Sequence, residues 1–143
     1  MILPDINVLI YAHREDSPEH EAYAQWLREL VAGSEPFALS SHTLAGFLRI
    51  ATHRKIFDPP TPMDVALRFC RQLVERPRAV WIQPGRDHWR ILQETIETSG
   101  IAGALVSDAY LAALALEHGA ELATTDGDFA RFPKLRWHHP LAS

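Results

Sequence analysis

At 143 residues the chain has about the length of one average domain, and 47% of its residues are hydrophobic, enough for one compact core. Its only cysteine, Cys70, excludes an internal disulfide and a cysteine-based zinc site. A formal net charge of −4 argues against a protein that grips nucleic acid with its whole surface, although it allows a local basic face. The first apolar run is short and is broken by Pro4 and Asp5, so we expect neither a membrane span nor a secretory signal, and a cytoplasmic protein.

Strand-like and helix-like segments alternate along the chain. Short strands are predicted before Asp5 and at 36–41, 79–83, 121–125 and 135–137. Helical spacing of apolar residues, with polar or proline starts and glycine stops, predicts helices at 18–33, from 42, from 61, from 85 to 100 and from 107 or 108 to 119. This alternation predicts an α/β fold with a central parallel sheet of four to five strands sandwiched by helices. The run NVLIYA after Asp5 has no readable period, and its pattern leaves it open between strand and helix.

Carboxylates recur where the predicted strands end. Asp5 ends the first strand, Asp108 stands at a helix start, and Asp126 and Asp128 follow the strand ELATT. Sites in open parallel sheets collect at the carboxyl ends of strands, so three distant segments are expected to converge. Two carboxylates about 4 Å apart repel by roughly 4 kcal/mol at an effective dielectric constant near 20. Such a cluster favours a cation, and hard oxygen ligands point to Mg²⁺, with Mn²⁺ as the alternative.

Each acid taken alone also has a purely structural explanation. Asp5 can cap the turn or helix that follows it, with Asn7 bonding to nearby backbone. Asp108 can be a helix N-cap or first-turn acid, and Asp126-Gly127-Asp128 is common turn chemistry. It is the combination of the acids that favours a metal site.

Two blocks of sequence carry a family resemblance. LPDINVLIYA near the start and SDAYLAALALEHGAELATTDGDFARF near the end resemble PIN domains, and specifically the VapC toxin ribonucleases of toxin–antitoxin pairs. The likeness extends over essentially the whole chain, which implies a single PIN domain over 1–143. It implies a parallel sheet sandwiched by helices, and it makes NVLIYA a helix.

The resemblance also implies roles for the acids. Asp5, Asp108 and Asp126 match the family's magnesium-holding acids, with Asp128 as a neighbouring contributor. A metal held by the first two would bind a phosphate oxygen and acidify a water, which leads to cleavage of a phosphodiester bond. Asp126 and Asp128 would then orient that water or take its proton. Donors around these acids are predicted at Asn7 and Thr125.

One position departs from the family pattern. Many relatives carry a glutamate in the helix that begins near His42, where this chain has Gly46 and no nearby glutamate. A glycine is expected to leave room for water, which magnesium tolerates because it usually keeps several waters. We therefore expect activity, while the number of metal ions, one or two, stays open.

Basic and aromatic residues are candidates for contacts with RNA. Arg14, Arg49, Arg54 and Lys55 are predicted to form a positive rim that follows the RNA backbone. The commoner explanation for such charged residues is that they lie on a solvent-exposed helix face without binding RNA. Stacking on bases by Phe57, Trp81 or Trp89 is an alternative, but the spacing of both tryptophans favours core packing.

The resemblance implies two protein partners, a VapB-type antitoxin that blocks the site and a second copy of the chain in a homodimer. Three functions compete. The first is a magnesium-dependent ribonuclease toxin, and the second is a catalytically weak relative that binds RNA or antitoxin, as Gly46 suggests. The third is an α/β phosphatase with Asp5 as nucleophile, which is disfavoured because Asn7 stands where such an enzyme needs a second acid.

Overall fold

The computed structural model describes residues 1–142 and contains, within that range, short strands alternating with helices as predicted. The strands are β1 (Ile2–Pro4), β2 (Phe37–Leu39), β3 (Ala79–Trp81), β4 (Glu121–Ala123) and β5 (Trp137–His138). The helices are α1 (Ile6–His13), α2 (His20–Ala32), α3 (Ser41–Ala51), α4 (Met63–Val74), α5 (His88–Ser99) and α6 (Leu105–His118). A 3₁₀ turn occupies Gly127–Arg131.

The five strands form one parallel sheet in the order β3-β2-β1-β4-β5, which confirms the predicted fold class. The central strand β1 pairs on one side with β2 and on the other with β4, with Ile2 opposite both Phe37 and Glu121. The residues that follow these three strands are Asp5, Ser40 and Thr124. Because parallel strands end at the same edge, these three residues leave the sheet side by side.

Helices cover both faces of the sheet. On one face α5 and α6 pack over Leu3, Ala38 and Leu122. On the other, α1 to α4 pack over Phe37 and Leu39. Alternate residues of β2 thus point into different cores, as the period of two along a strand requires. The three central strands β1, β2 and β4 are buried on both faces, which explains why they read as apolar runs rather than as alternating ones.

Several element ends differ from the prediction by a few residues. The segment after Asp5 is helical, as the resemblance implied. Helix α2 begins at His20 rather than at Pro18, because Glu19 adopts a left-handed φ of 56° that a continuous helix excludes. Helix α6 begins at Leu105, so Asp108 lies within its first turn. Strand β4 ends at Ala123, two residues earlier than predicted.

Among residues 1–142, no helix combines the length and the apolar character that crossing a membrane requires.

Candidate metal-binding site

Asp5 lies at the centre of the sheet edge and is only 7% exposed. Its Oδ1 accepts a 2.7 Å hydrogen bond from the backbone N–H of Ile6, so it caps α1, as one of the structural explanations predicted. Its Oδ2 accepts a 2.7 Å hydrogen bond from the Thr124 hydroxyl. Burial raises the pKa of Asp5, while these two hydrogen bonds to the ionised form oppose that rise. The buried carboxylate is therefore stabilised in a fixed orientation.

Thr124 connects two of the acids. Its side chain is fully buried directly after β4, and its hydroxyl oxygen accepts a 3.1 Å hydrogen bond from the Asp126 backbone N–H. The neighbouring Thr125, predicted as a donor to the acids, is half-buried and makes no side-chain hydrogen bond within residues 1–142. The threonine in contact with Asp5 is thus Thr124, the first of the T-x-D stretch.

Asp126 and Asp128 lie in the turn that follows. The Oδ1 of Asp126 accepts a 2.8 Å hydrogen bond from the Asp128 backbone N–H and caps the 3₁₀ turn, which confirms the turn chemistry expected there. Asp128 is exposed, and one of its oxygens lies 3.8 Å from the Arg131 guanidinium. Its side chain therefore flanks the edge of the site rather than its centre.

Asp108 reaches the same edge from α6. Its pKa is raised by burial first and then by the negative charges of Asp126, Asp5 and Asp128. The four predicted acids thus lie near enough for their charges to act on Asp108. Their repulsion is the electrostatic problem that a bound cation relieves.

The chemistry of these donors fits a hard divalent cation. Within residues 1–142, however, no three His, Cys, Asp or Glu side chains already stand at the spacing of a metal-ligand set. Mg²⁺ is commonly held by one or two carboxylates and several waters, so it does not need such a preformed cage. The acids fit an ion of that kind at an open sheet edge.

Asn7 lies in the first turn of α1 and is exposed. Its amide has no hydrogen-bonding partner in the part of the chain that the structure describes, so the backbone-bonding explanation is not seen. The amide faces solvent close to Asp5 in sequence, where it can still bind a substrate.

Gly46 does not leave the open space for water that we expected. A Cβ built at this position would lie 3.0 Å from Cγ1 of Ile6, and closer still to its Cδ1. The absence of a side chain at Gly46 allows α1 and α3 to approach through Ile6. The place of the family's glutamate is thus filled by an apolar contact.

Sequence reasoning missed a group of three rings beside the acids. The ring centroids of His42 and Tyr110 are 4.8 Å apart, and those of His88 and Tyr110 are 4.6 Å apart. The negative charge of Asp5 acts to raise the pKa of His42, although burial has the larger effect and lowers it. These residues come from α3, α5 and α6 and are far apart in the sequence, so no short motif predicts that they lie together.

Arg14 does not lie free on a basic rim. It is 9% exposed at the end of α1 and donates to both carboxylate oxygens of Asp16, at 2.9 and 2.7 Å. It also donates to the Pro59 carbonyl at 3.0 Å, and its guanidinium lies 4.0 Å from the centroid of the Phe57 ring. Its donors are used within the protein, which argues against a role in binding RNA.

The other predicted rim residues, Arg49, Arg54 and Lys55, are exposed. Helix α3 begins at the site edge, and at 1.5 Å per residue its far end lies about 16 Å away. These three basic residues lie towards or beyond that far end. Any contact they make with RNA is distant from the acids of the same chain.

The expected core packing of two tryptophans is wrong. Trp81 ends the edge strand β3 and is 49% exposed, and Trp89 in the first turn of α5 is 69% exposed. Helix α5 buries Leu92 and His88 instead. Both indole rings are accessible from solvent.

Comparison with known proteins places these features in a family. The family model described as PIN domain matches residues 2–135. The chain is 40% identical over 141 residues to ribonuclease VapC43 of Mycobacterium tuberculosis, covering 99% of this chain and 96% of the relative. It is 37% identical over 140 residues to ribonuclease VapC31 of the same species, covering 98% of this chain and 99% of the relative. A chain in the crystal structure of VapBC2 from Rickettsia felis, bound to a DNA fragment from its promoter, matches with a TM-score of 0.70. That chain is 20% identical to this one, and the match covers 97% of this chain and 98% of that one. At this identity the match shows a similar fold.

Proposed function

The chain belongs to the PIN-domain family, in its VapC branch, and from this membership we propose that it is a divalent-metal-dependent endoribonuclease, the toxin of a toxin–antitoxin pair. The observation that carries the metal dependence is the convergence of Asp5, Asp108 and Asp126 at the carboxyl edge of the sheet. Asp5 is buried and Asp108 and Asp126 are half-buried, and carboxylates that repel one another at such an edge cost stability, which supports a functional role for them.

Mg²⁺, or Mn²⁺ in its place, would be held by Asp5, Asp108 and Asp126. When bound, such an ion supplies Lewis-acid stabilisation of the charge on the scissile phosphate and acidifies a water. Asp5 contributes a carboxylate whose orientation is fixed by Ile6 N–H and the Thr124 hydroxyl, with lone pairs remaining on both oxygens. Preorganised ligands of this kind cost little to arrange when the substrate arrives.

Asp126 has a second role in this proposal, which it shares with Asp128. Asp126 is anchored through its backbone to Thr124, and one of its oxygens already accepts a hydrogen bond from Asp128 N–H. Its second carboxylate oxygen makes no hydrogen bond within residues 1–142 and is available to orient the attacking water or to accept its proton. Asp128 places a second, exposed carboxylate next to it. Hydrolysis then breaks one P–O bond of the RNA backbone and forms another to the water oxygen.

The activity is tested on purified protein that is free of antitoxin. The protein is incubated with structured RNAs in Mg²⁺, in Mn²⁺ and in chelator, beside Asp5→Ala and Asp108→Asn. We expect cleavage only by the unmodified protein with metal. Identical products in every lane would rule out metal-dependent cleavage at this site. Isothermal titration with Mg²⁺ and Mn²⁺ shows independently whether both acids take part in binding the ion.

A catalytically weak protein that binds RNA or antitoxin is the second candidate. It is favoured by the apolar contact of Ile6 at Gly46 and by the lack of a preformed ligand set among residues 1–142. RNA binding in chelator, without cleavage after metal is added, distinguishes this function from the first.

A VapB-type antitoxin is the partner that we propose for the acidic edge. A solved structure of similar fold is described as VapBC2, bound to promoter DNA. The exposed acids favour a partner that inserts a basic side chain, since opposite charges steer association. If the neighbouring reading frame encodes a short protein of this kind, co-expression with it should yield a complex in which RNA cleavage is blocked. Sedimentation of the isolated chain tests the proposed homodimer.

A further inference from the structure

Helix α3 carries a histidine, His42, one turn before Gly46, the position where the family pattern has an acid. His42 and Gly46 are four residues apart, so they lie on the same side of the helix, one turn from each other. Ile6 fills the space in front of Gly46. The polar contribution of this side of α3 therefore comes from its first turn, at His42.

The ring of His42 is held from behind. It packs against Tyr110 of α6 at a centroid distance of 4.8 Å. Tyr110 packs in turn against His88 of α5 at 4.6 Å, and His88 is almost completely buried. The Nε2–H of His88 donates a 3.1 Å hydrogen bond to the Tyr110 carbonyl, which fixes the position of the innermost ring. Three helices thus hold the His42 ring in place without using its polar atoms.

Those polar atoms are available to a ligand. Within residues 1–142, neither ring nitrogen of His42 nor the Tyr110 hydroxyl has a hydrogen-bonding partner, and both side chains are half-buried. Helix α3 begins directly after Ser40, which leaves the sheet beside Asp5, so His42 in the first turn of α3 lies at the same edge as the acids. The charge of Asp5 also acts on the His42 ring. A neutral imidazole carries one N–H donor and one acceptor. Its N–H can therefore donate to an anion at an edge where the carboxylates repel that anion.

We propose that His42 is a substrate-contacting residue whose ring N–H donates a hydrogen bond to a phosphate oxygen of RNA bound at the acid cluster. This inference rests on the proposed ribonuclease function and names a contact within it. Tyr110 and His88 are positioning residues, because they act through the His42 ring. Direct ligation of the metal by His42 is the competing role, and measuring metal binding separately from RNA binding distinguishes the two.

The contact is tested by measuring RNA binding and metal binding separately. Binding of a fluorescently labelled single-stranded RNA is followed by anisotropy in chelator, where no cleavage takes place. Metal binding is followed by calorimetry with Mn²⁺ alone. The variants are His42→Ala, His42→Gln and Tyr110→Leu, and His118→Ala, at the end of α6 away from Asp108, is the matched control.

We expect His42→Ala to raise the Kd for RNA about tenfold, which corresponds to about 1.4 kcal/mol. His42→Gln keeps an N–H donor and should recover part of this loss, while Tyr110→Leu should lose part of the affinity by releasing the ring. The Kd for Mn²⁺ should change less than twofold in every variant. The control should match the unmodified protein in both measurements.

Two outcomes overturn the proposal. Unchanged RNA affinity in a folded His42→Ala or His42→Gln protein shows that the ring does not contact the substrate. A loss of Mn²⁺ affinity shows that His42 is a metal ligand instead. Circular dichroism identifies a variant that does not fold. If His42→Ala does not fold, the RNA affinity of His42→Gln decides whether the ring contacts the substrate. Cleavage by the unmodified protein in Mg²⁺ is scored separately, so failure of the ribonuclease function is distinguishable from failure of the His42 contact.

Discussion

Thr124 and Asp5, which are 119 positions apart in the chain, are joined by a buried hydrogen bond of 2.7 Å. This bond ties the carboxyl end of β4 to the carboxyl end of β1 and orients the most buried acid of the site. Replacing Thr124 with valine keeps the shape but leaves a carboxylate oxygen buried without its donor. We expect Thr124→Val to lower the free energy of unfolding by about 1–3 kcal/mol.

Urea denaturation of Thr124→Val beside Thr124→Ser measures this effect. The serine variant keeps the hydroxyl and should retain most of the stability. A larger loss in the serine variant than in the valine variant would show that packing of the threonine methyl group, which valine keeps, matters more at this position than the hydrogen bond.

The position of Thr124 also shows what the sequence could and could not predict. The strand, the acid after it and the turn were all readable from ELATTDGD, because apolar runs and Asp-Gly turns are local signals. Which threonine faces Asp5 depends on where β4 stops. Strand β4 ends at Ala123, and the Thr124 N–H still bonds to the His138 carbonyl on β5. That pairing is non-local, so the choice between Thr124 and Thr125 was not available from the chain alone.

The same distinction explains the other differences. The order of strands and helices follows from hydrophobic period and is confirmed. The exposure of Trp89 depends on how much of α5 the neighbouring α6 covers, which the period of α5 does not report. The contact of Ile6 with Gly46 depends on the crossing of α1 and α3. Helical spacing predicts which residues share a face, but not which neighbour fills it.

Neutralising Asp108 should stabilise the protein when metal is absent. Burial and the charges of Asp126, Asp5 and Asp128 raise the pKa of Asp108, so its ionised form is less favourable in the folded state than in the unfolded chain. Asp108→Asn removes this unfavourable charge while keeping the shape. We expect its melting temperature in chelator at pH 7 to exceed that of the unmodified protein by a few degrees, a gain of about 1 kcal/mol.

The pH dependence of this gain in stability follows from the direction in which the pKa of Asp108 is shifted. A raised pKa means that stability is lost as the pH increases through the folded-state pKa. Below about pH 4, the usual range of a carboxyl group, Asp108 is protonated in both states and the two proteins should melt alike. Thermal denaturation across pH 3 to 8 in chelator measures the difference. A variant that is less stable at pH 7 would show that Asp108 makes a favourable contact in the free protein.

Gly46 and Ile6 should be energetically coupled. In the middle of a helix, replacing glycine with alanine normally stabilises by about 1 kcal/mol. Here the added methyl group meets the Ile6 side chain, so we expect Gly46→Ala to lose this gain. In an Ile6→Ala background the space is open, and the same substitution should then be stabilising. Urea denaturation of the two single variants and the double variant gives the coupling energy, and additive effects would contradict the observed packing.

The same contact determines the outcome of restoring the family's acid. Gly46→Glu alone should reduce stability without raising RNA cleavage, because Ile6 stands in the path of the new side chain. Gly46→Glu combined with Ile6→Ala should recover stability and allow the carboxylate to approach the site. Higher activity in the single variant than in the unmodified protein would show that Ile6 yields easily.

Arg14 should contribute to stability rather than to RNA binding. Its guanidinium bridges Asp16, Thr61 and the Pro59 carbonyl and thereby joins the loop after α1 to the loop before α4. Lysine cannot reproduce these planar, forked hydrogen bonds. We expect Arg14→Lys to lower the free energy of unfolding by about 1–3 kcal/mol and to leave RNA affinity unchanged.

Arg54→Ala serves as the matched comparison, because Arg54 is exposed beyond the far end of α3. If the exposed basic residues follow the RNA backbone, this variant should weaken RNA binding and reduce its salt dependence without affecting stability. Weakened RNA binding by a folded Arg14→Lys protein would show that Arg14 belongs to the RNA-binding basic rim after all.

Trp89 provides the corresponding test for exposed apolar residues. Its side chain is 69% exposed, whereas Phe47 is completely buried between α1, α3 and α4. We expect Trp89→Ala to change the free energy of unfolding by less than about 0.5 kcal/mol, while Phe47→Ala should cost about 3–5 kcal/mol. Chemical denaturation of both variants measures the contrast. A large loss of stability for Trp89→Ala would show that Trp89 packs in the core, as its spacing predicted.

A stable Trp89→Ala protein can then be compared with the unmodified chain for RNA affinity in chelator. Weaker binding would show that the accessible indole stacks on a base, since each stacked base contributes about 1–3 kcal/mol.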